Sequence, residues 1–375
     1  MSASDSKLPG ASLELSPAED RGGPAQPLLL VQTLVKHFPL RDPFWVRERR
    51  FVHAVDGVSF NVAKGETLGI VGESGCGKST TARLIAKLIP ADQGKLVFDG
   101  DGVGEFGGLS LRDYRRSLQM VFQDSFASLN PRLTIEDSIS FGPRMHGMSD
   151  ASAGQRAHVL LERVGLSPAQ YAARYPHELS GGQRQRVNIA RALALEPRMV
   201  ILDEAVAALD KSVQAQVLNL LQELKAEQGL TYIFISHDLQ VVQYLCDRVM
   251  VMYLGQVVEV GPVDEIYLAA KHPYTQALLS AVPSMNPLRR IDRAVLAGDP
   301  PNPINPPPGC RFRDRCPHAE AICAQQTPVL QTLPRTAHAV ACHLAIPGSG
   351  HTGAPVAVPL SAATVRIHNS AEVFA

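Results

Sequence analysis

The sequence carries no surplus of either charge: Lys plus Arg and Asp plus Glu stand at 36 each, for a formal net charge of zero. A chain dedicated to nucleic acid usually shows a basic excess, so that class is disfavoured. The locally basic stretch Lys36–Arg50 reads as a solvated surface loop. No run approaches the ~20 apolar residues that span a bilayer, and Leu28–Val31 is far too short. Residues 1–26 lack the charged start and apolar block of a secretory signal. The expected location is therefore the cytoplasm, with any membrane role supplied by partner chains. No internal repeat and no coiled-coil insertion is visible, so a single copy of the main domain is expected. Cysteine is scarce over most of the chain. Cys76 and Cys246 stand alone, whereas Cys310, Cys316, Cys323 and Cys342 fall close together. In a reducing compartment such a group suggests metal more than disulfides.

What is present is an alternation of β and α signals in a chain of 375 residues, 45% of them hydrophobic, enough for one large domain and a smaller one. Val58–Val62 alternates apolar and polar residues, and Glu66–Val71 follows it after a turn. Met199–Leu202 and Tyr232–Ile235 are short apolar runs of the kind a buried strand shows. Arg248–Tyr253 and Gln256–Val260, broken at Leu254-Gly255, predict a hairpin. Ser110–Leu179 is patterned mostly as helix. The fold class expected is α/β.

Gly72-Glu73-Ser74-Gly75-Cys76-Gly77-Lys78-Ser79-Thr80 matches the P-loop pattern, after a predicted strand and before a helical stretch near Thr81. The glycines let the backbone curl so that its N–H groups face phosphate oxygens, and the following helix adds its positive end. Lys78 can reach the β- and γ-phosphates, and Ser79 can ligate Mg²⁺. Asp203-Glu204 ends the apolar strand, where the first carboxylate can hold Mg²⁺ and the second can polarise an attacking water. Leu179-Ser180-Gly181-Gly182-Gln183 opens a helical pattern over Arg184–Leu195. Alone it reads as a Ser cap with glycines. Beside a P-loop it is a second anion site, which one nucleotide in one subunit does not need.

In combination these motifs resemble the ATPases of ABC transporters over roughly Leu28–Val260. The resemblance implies an ABC ATPase core with a helical subdomain, using ATP and Mg²⁺. Gln123 resembles the Q-loop residue, a third Mg²⁺ contact with Ser79 and Asp203. His237 resembles the switch histidine, and Asp210 closes a D-loop Ala207-Ala208-Leu209-Asp210. Phe38 resembles the aromatic that stacks on adenine, with Phe44, Trp45 and Phe51 as alternatives. Two positions depart from the family pattern: Ala205-Val206 follows Glu204 where Pro-Thr or Pro-Val is usual, and Ser125 replaces the Pro after Asp124.

The flanks are more informative about the work done. Ala54–Phe60, Ser128-Leu129-Asn130-Pro131-Arg132, Tyr253–Gln256, His272-Pro273-Tyr274-Thr275 and the region from Gly309 to Leu344 resemble the oligopeptide/dipeptide importer ATPases. Cys76 and the Asn-Pro-Arg ending resemble the second of the two ATPases of such importers. The implied partners are a second ABC ATPase, two transmembrane permeases and an external peptide-binding protein, with no nucleic acid. The implied place is the cytoplasmic face of the inner membrane. The domain reading is a disordered tail at 1–26, the ATPase domain at 27–262 with its helical subdomain near 110–180, the importer C-terminal domain at 263–347 and a disordered tail at 348–375. The alternative is a non-transport ABC ATPase acting on nucleic acid or ribosomes.

The spacing C-x5-C-x6-C-x18-C over Cys310, Cys316, Cys323 and Cys342 is unlike the C-x2-C pairs of common zinc fingers. Four thiolates can hold a [4Fe–4S] cluster or Zn²⁺. The importer resemblance implies the cluster. Zinc, with His318, His338 or His343 replacing a cysteine, and free thiols are the alternatives.

Overall fold

A strand buried on both faces reads as an unbroken apolar run, and this chain has three. Thr67–Val71, Met199–Asp203 and Thr231–Ile235 are buried at every residue. The computed structural model describes residues 23, 26–40, 50–282, 302–304 and 306–355. It is α/β, as the motifs imply.

In chain order, β1 (Leu29–Pro39), β2 (Phe51–Val62), β3 (Thr67–Val71), α1 (Lys78–Ile85), β4 (Gln93–Phe98), β5 (Asp101–Gly102), α2 (Leu111–Ser117) and β6 (Leu118–Val121) come first. The helices α3 (Ile135–Met145), α4 (Asp150–Arg163), α5 (Pro168–Tyr171) and α6 (Gly181–Leu193) follow. Then come β7 (Met199–Asp203), α7 (Lys211–Gln228), β8 (Thr231–Ile235), α8 (Leu239–Leu245), β9 (Arg248–Tyr253), β10 (Gln256–Pro262), α9 (Val263–Ala269) and α10 (Pro273–Ser280). The cysteine region adds α11 (Ala321–Gln325), β11 (Gln331–Thr332) and β12 (Ala339–Val340).

The larger sheet has the order β11-β12-β10-β9-β3-β8-β7-β6, and β9, β3, β8, β7 and β6 run parallel within it. The smaller sheet, β2-β1-β4-β5, is antiparallel. Its strand β2 buries Val55, Val58, Phe60 and Val62 and starts at Phe51, earlier than the alternation alone shows. The hairpin expected after Arg248 forms as the antiparallel pair β9–β10.

Two expectations shift. The stretch patterned as helix from Ser110 contains β6, which lies parallel to β7 at the sheet edge. A run of four residues is too short for periodicity to separate strand from helix. Residues 348–355, expected in the tail, pack on the cysteine region: His351 is buried and its ring bonds the His318 carbonyl at 2.8 Å. The rest of that tail, most of residues 1–26, Phe44 and Trp45 lie outside the described residues.

The strand order positions the site. β3, β8, β7 and β6 are neighbours and parallel, so their carboxyl ends open on one edge. Ligands of open α/β sheets bind at that edge.

Candidate active site

The loop from the tip of β3 into α1 is shaped by its glycines. Gly72, Gly75 and Gly77 hold φ of 148°, 80° and 107°. A Cβ at Gly77 would strike the Ala54 carbonyl, and one at Gly72 the Met252 carbonyl. Gly77 is the N-cap of α1 and offers no side-chain acceptor, so the first-turn N–H groups have no side-chain cap. Lys78 is buried, and its ammonium donates to the carbonyls of Gly72 at 2.8 Å and Glu73 at 3.0 Å. The result is a glycine-rich turn that leads into an uncapped helix N-terminus with one buried cation beside it, the elements a polyphosphate cradle uses.

Beside it, Ser79 Oγ donates to Asp203 Oδ1 at 2.9 Å. Asp203 is buried at the tip of β7, and burial pushes its carboxyl up against the pull of the Ser79 hydrogen bond. A buried carboxylate beside a hydroxyl is an oxygen donor pair that suits Mg²⁺. Glu204, the next residue, sits at φ 47° and anchors its N–H on the Ile235 carbonyl of β8 at 2.9 Å. Two groups meet its Oε2: Gln123 Nε2, beyond the tip of β6, at 2.8 Å, and His237 Nδ1, beyond β8, at 3.5 Å. The departures from the family pattern do not open this site. Ala205 and Val206 are buried in the core, and the Ser125 carbonyl accepts from Asn188 Nδ2 at 3.1 Å.

Ser180–Gln183 lies elsewhere. Ser180 caps α6 in a reciprocal box, its hydroxyl accepting from the Gln183 N–H at 3.3 Å while Gln183 Oε1 accepts from the Ser180 N–H at 2.9 Å. Gly182 packs against Val213 at the start of α7, which Asp210 precedes as N-cap. Among the described residues no hydrogen bond joins Ser180–Gln183 to Gly72–Thr80. Phe38, near the end of β1, is 38% exposed with the Lys36 ammonium 5.5 Å from its ring centre, and Phe51 is similarly exposed at the start of β2.

Cys310, Cys316, Cys323 and Cys342 line one small cavity with His318, His343 and His351. Burial pushes the Cys310 thiol up to about 11 and the Cys342 thiol up to about 12, and raises Cys316 as well. Such thiols ionise readily only with a cation among them. His338 is not among the lining residues. Its Nε2 meets Glu259 Oε1 at 2.6 Å, which removes it from the zinc alternative. Sequence reasoning missed Arg311, which donates to Asp56 and to the Leu254 carbonyl, and Arg315, which grips Glu73. It also missed His37, His53 and Asp56, whose donor atoms lie within 4.8 Å of one another. Arg311 already supplies a cation to that carboxylate.

The comparisons agree with this geometry. The ABC transporter family profile matches residues 55–207, and the oligopeptide/dipeptide transporter C-terminal region matches residues 258–323. The oligopeptide transport ATP-binding protein AppF of Bacillus subtilis is 50% identical over 84% of this chain and 97% of its own length. The protein OppF of Salmonella typhimurium is 49% identical over 84% of this chain and 95% of its own. A dimeric ATP-binding cassette solved after hydrolysis, with ADP and phosphate bound, superposes with a TM-score of 0.54 at 27% identity, over 63% of this chain and 98% of that one. The fold and the P-loop edge thus define an ATPase of the ABC class, an ATP hydrolase that uses Mg²⁺. Within that class the chain belongs to the oligopeptide/dipeptide transport ATP-binding proteins.

Proposed function

We propose that this chain powers a membrane importer for peptides, as one of two ATPases on two permeases fed by an external peptide-binding protein. The carrying observation is the match of both ABC and peptide-transporter regions, joined to near full-length identity with peptide-import relatives. Among the described residues no helix is long and apolar enough to cross a membrane, so attachment to the cytoplasmic face of the inner membrane runs through the permeases. Co-expression with permeases and a binding protein of a peptide importer, and a vesicle uptake assay, test the reading. Labelled peptide should enter only with ATP and only with Glu204 intact; ATP turnover without uptake of any peptide overturns it.

In this reading Gly72–Thr80 hold the phosphates, with Lys78 on the β and γ groups. Ser79, Asp203 and Gln123 are the residues that would hold Mg²⁺, which would supply neutralisation of phosphate charge. Glu204 takes a proton from water, and the contacts of Gln123 and His237 on its Oε2 support that role. Phe38 stacks on adenine. Ser180–Gln183 and Asp210 complete the nucleotide site of the second ATPase, which a second helix-capping anion site in a chain with one P-loop supports. Phe126, half-exposed in the loop after Gln123, offers an apolar side chain to a permease helix.

The four cysteines hold an iron–sulfur cluster. The gathering of all four thiols at one cavity supports a shared metal group. Brown protein with iron and sulfide after anaerobic purification is expected; colourless protein with stoichiometric zinc overturns it.

A further inference from the structure

Between Cys310 and Cys316, three residues fasten the C-terminal region to the nucleotide loop and the strands beside it. Arg311, 9% exposed, donates to Asp56 and to the Leu254 carbonyl. The N–H of that same peptide, from Gly255, donates to the Cys76 carbonyl at 2.9 Å. Phe312 is buried, its ring centre 5.3 Å from Tyr253 and 5.4 Å from Tyr274. Arg315 forms a two-pronged pair with Glu73, Nη1 to Oε2 at 2.7 Å and Nη2 to Oε1 at 3.0 Å.

Glu73 is held at every polar group it has. Its side chain meets Arg315, its N–H donates to Tyr274 Oη at 2.8 Å, and its carbonyl accepts from Lys78 Nζ at 3.0 Å. Planar two-pronged pairs fix orientation as well as distance. A fixed Glu73 side chain fixes the peptide whose carbonyl aims the ammonium of Lys78. Preorganised loops bind more tightly because the ordering cost is met before the ligand arrives.

We propose that Arg315 is a positioning residue for nucleotide binding: through Glu73 it holds the backbone that orients Lys78, so the cysteine-bounded loop sets the affinity of the nucleotide site. The inference rests on the assignment of Gly72–Thr80 to the phosphates. It concerns the ground state of the loop, so it predicts a change in affinity and little change in turnover at saturating ATP.

The test uses the full chain and a fluorescent ATP analogue with Mg²⁺. Arg315→Ala and Glu73→Gln should each raise Kd about tenfold, the size of one lost charge-assisted bond. The double variant should be no worse than about twofold beyond either, since both break the same pair. Arg315→Lys should recover part of the affinity. In Arg315→Ala, KM should rise while kcat stays within about twofold of the parent. A module that merely needs Arg315 to fold would lose affinity in Arg315→Ala but not in Glu73→Gln, and that outcome overturns the inference. So do parental affinities in both singles, or additive losses in the double. Lys78→Ala separates the levels: if it too binds like the parent, the phosphate assignment itself has failed.

Discussion

The nucleotide core and the cysteine region of this chain are stabilised by different physics. The core has parallel strands whose every residue is buried, wrapped by helices, and its backbone groups are satisfied by sheet and helix. The cysteine region has two-residue strands, a five-residue helix and few buried apolar side chains, chiefly Phe312, Val340 and Ala341. It is held by polar contacts: the ion pairs of Arg315 with Glu73 and Arg311 with Asp56, and the hydrogen bond between His338 and Glu259. It is held also by β12 pairing on β10, Glu259 opposite Val340. A fold with so little apolar burial needs staples. The core is therefore expected to survive damage to the cysteine region far better than the reverse.

The sharpest separation is chemical. Glu204→Gln should cut ATP turnover about a thousandfold, the usual worth of a positioned base, and leave ATP binding and the cysteine region intact. Single-turnover hydrolysis checks this; parental turnover would remove Glu204 from its role. The reverse lesion is Cys323→Ser. If the thiols share one metal group, loss of iron should follow and hydrogen exchange should rise across residues 306–355, while β3, β7 and β8 stay protected. Equal loss of protection in those strands would erase the contrast between the two regions.

Acid should also strike the cysteine side first. Burial pushes His272 down to about 4 from an ordinary 6.5, against the pull of Glu259. The unfolded chain therefore takes up a proton between those values that the folded chain refuses. Stability is full above about 6.5, falls as pH drops through the window and levels off below about 4. The loss is on the order of 3 kcal/mol. For Glu259, burial raises the carboxyl, but hydrogen bonds from His338 and from the Lys271 N–H outweigh it and hold it below 4.5. Its contribution is present above that value and fades as pH falls further. His272→Asn keeps an acceptor for the Tyr274 N–H, 3.0 Å from Nδ1 in the parent, and lacks the titration. Its melting temperature should fall less between pH 7 and 4; an unchanged slope would clear His272. The smallest effect is expected at the edge of the nucleotide site. Phe38→Ala should raise Kd for ATP about fivefold, the ~1 kcal/mol low end of base stacking, and Phe51→Ala should not. The opposite ranking would reassign the adenine contact.

The sequence by itself determined the motifs that are contiguous. Gly72–Thr80, Asp203-Glu204 and Ser180–Gln183 are legible because a phosphate cradle, a strand-tip carboxylate and a helix cap each need particular residues at fixed short spacing. The buried strands are legible for the same reason, as unbroken apolar runs. The four-residue strand β6 was not, because its neighbours in the sheet are supplied by residues some 80 positions away, Leu118 opposite Met199. Nor was the tertiary wiring. Arg315 and Glu73 are 242 residues apart, His338 and Glu259 are 79 apart, and an arginine between two cysteines looks like surface charge until its partner is known. The parallel strand order gathers Ser79, Gln123, Asp203, Glu204 and His237 at one edge. The crossovers that create this order bury apolar faces spread over the whole chain, so only the folded packing decides it.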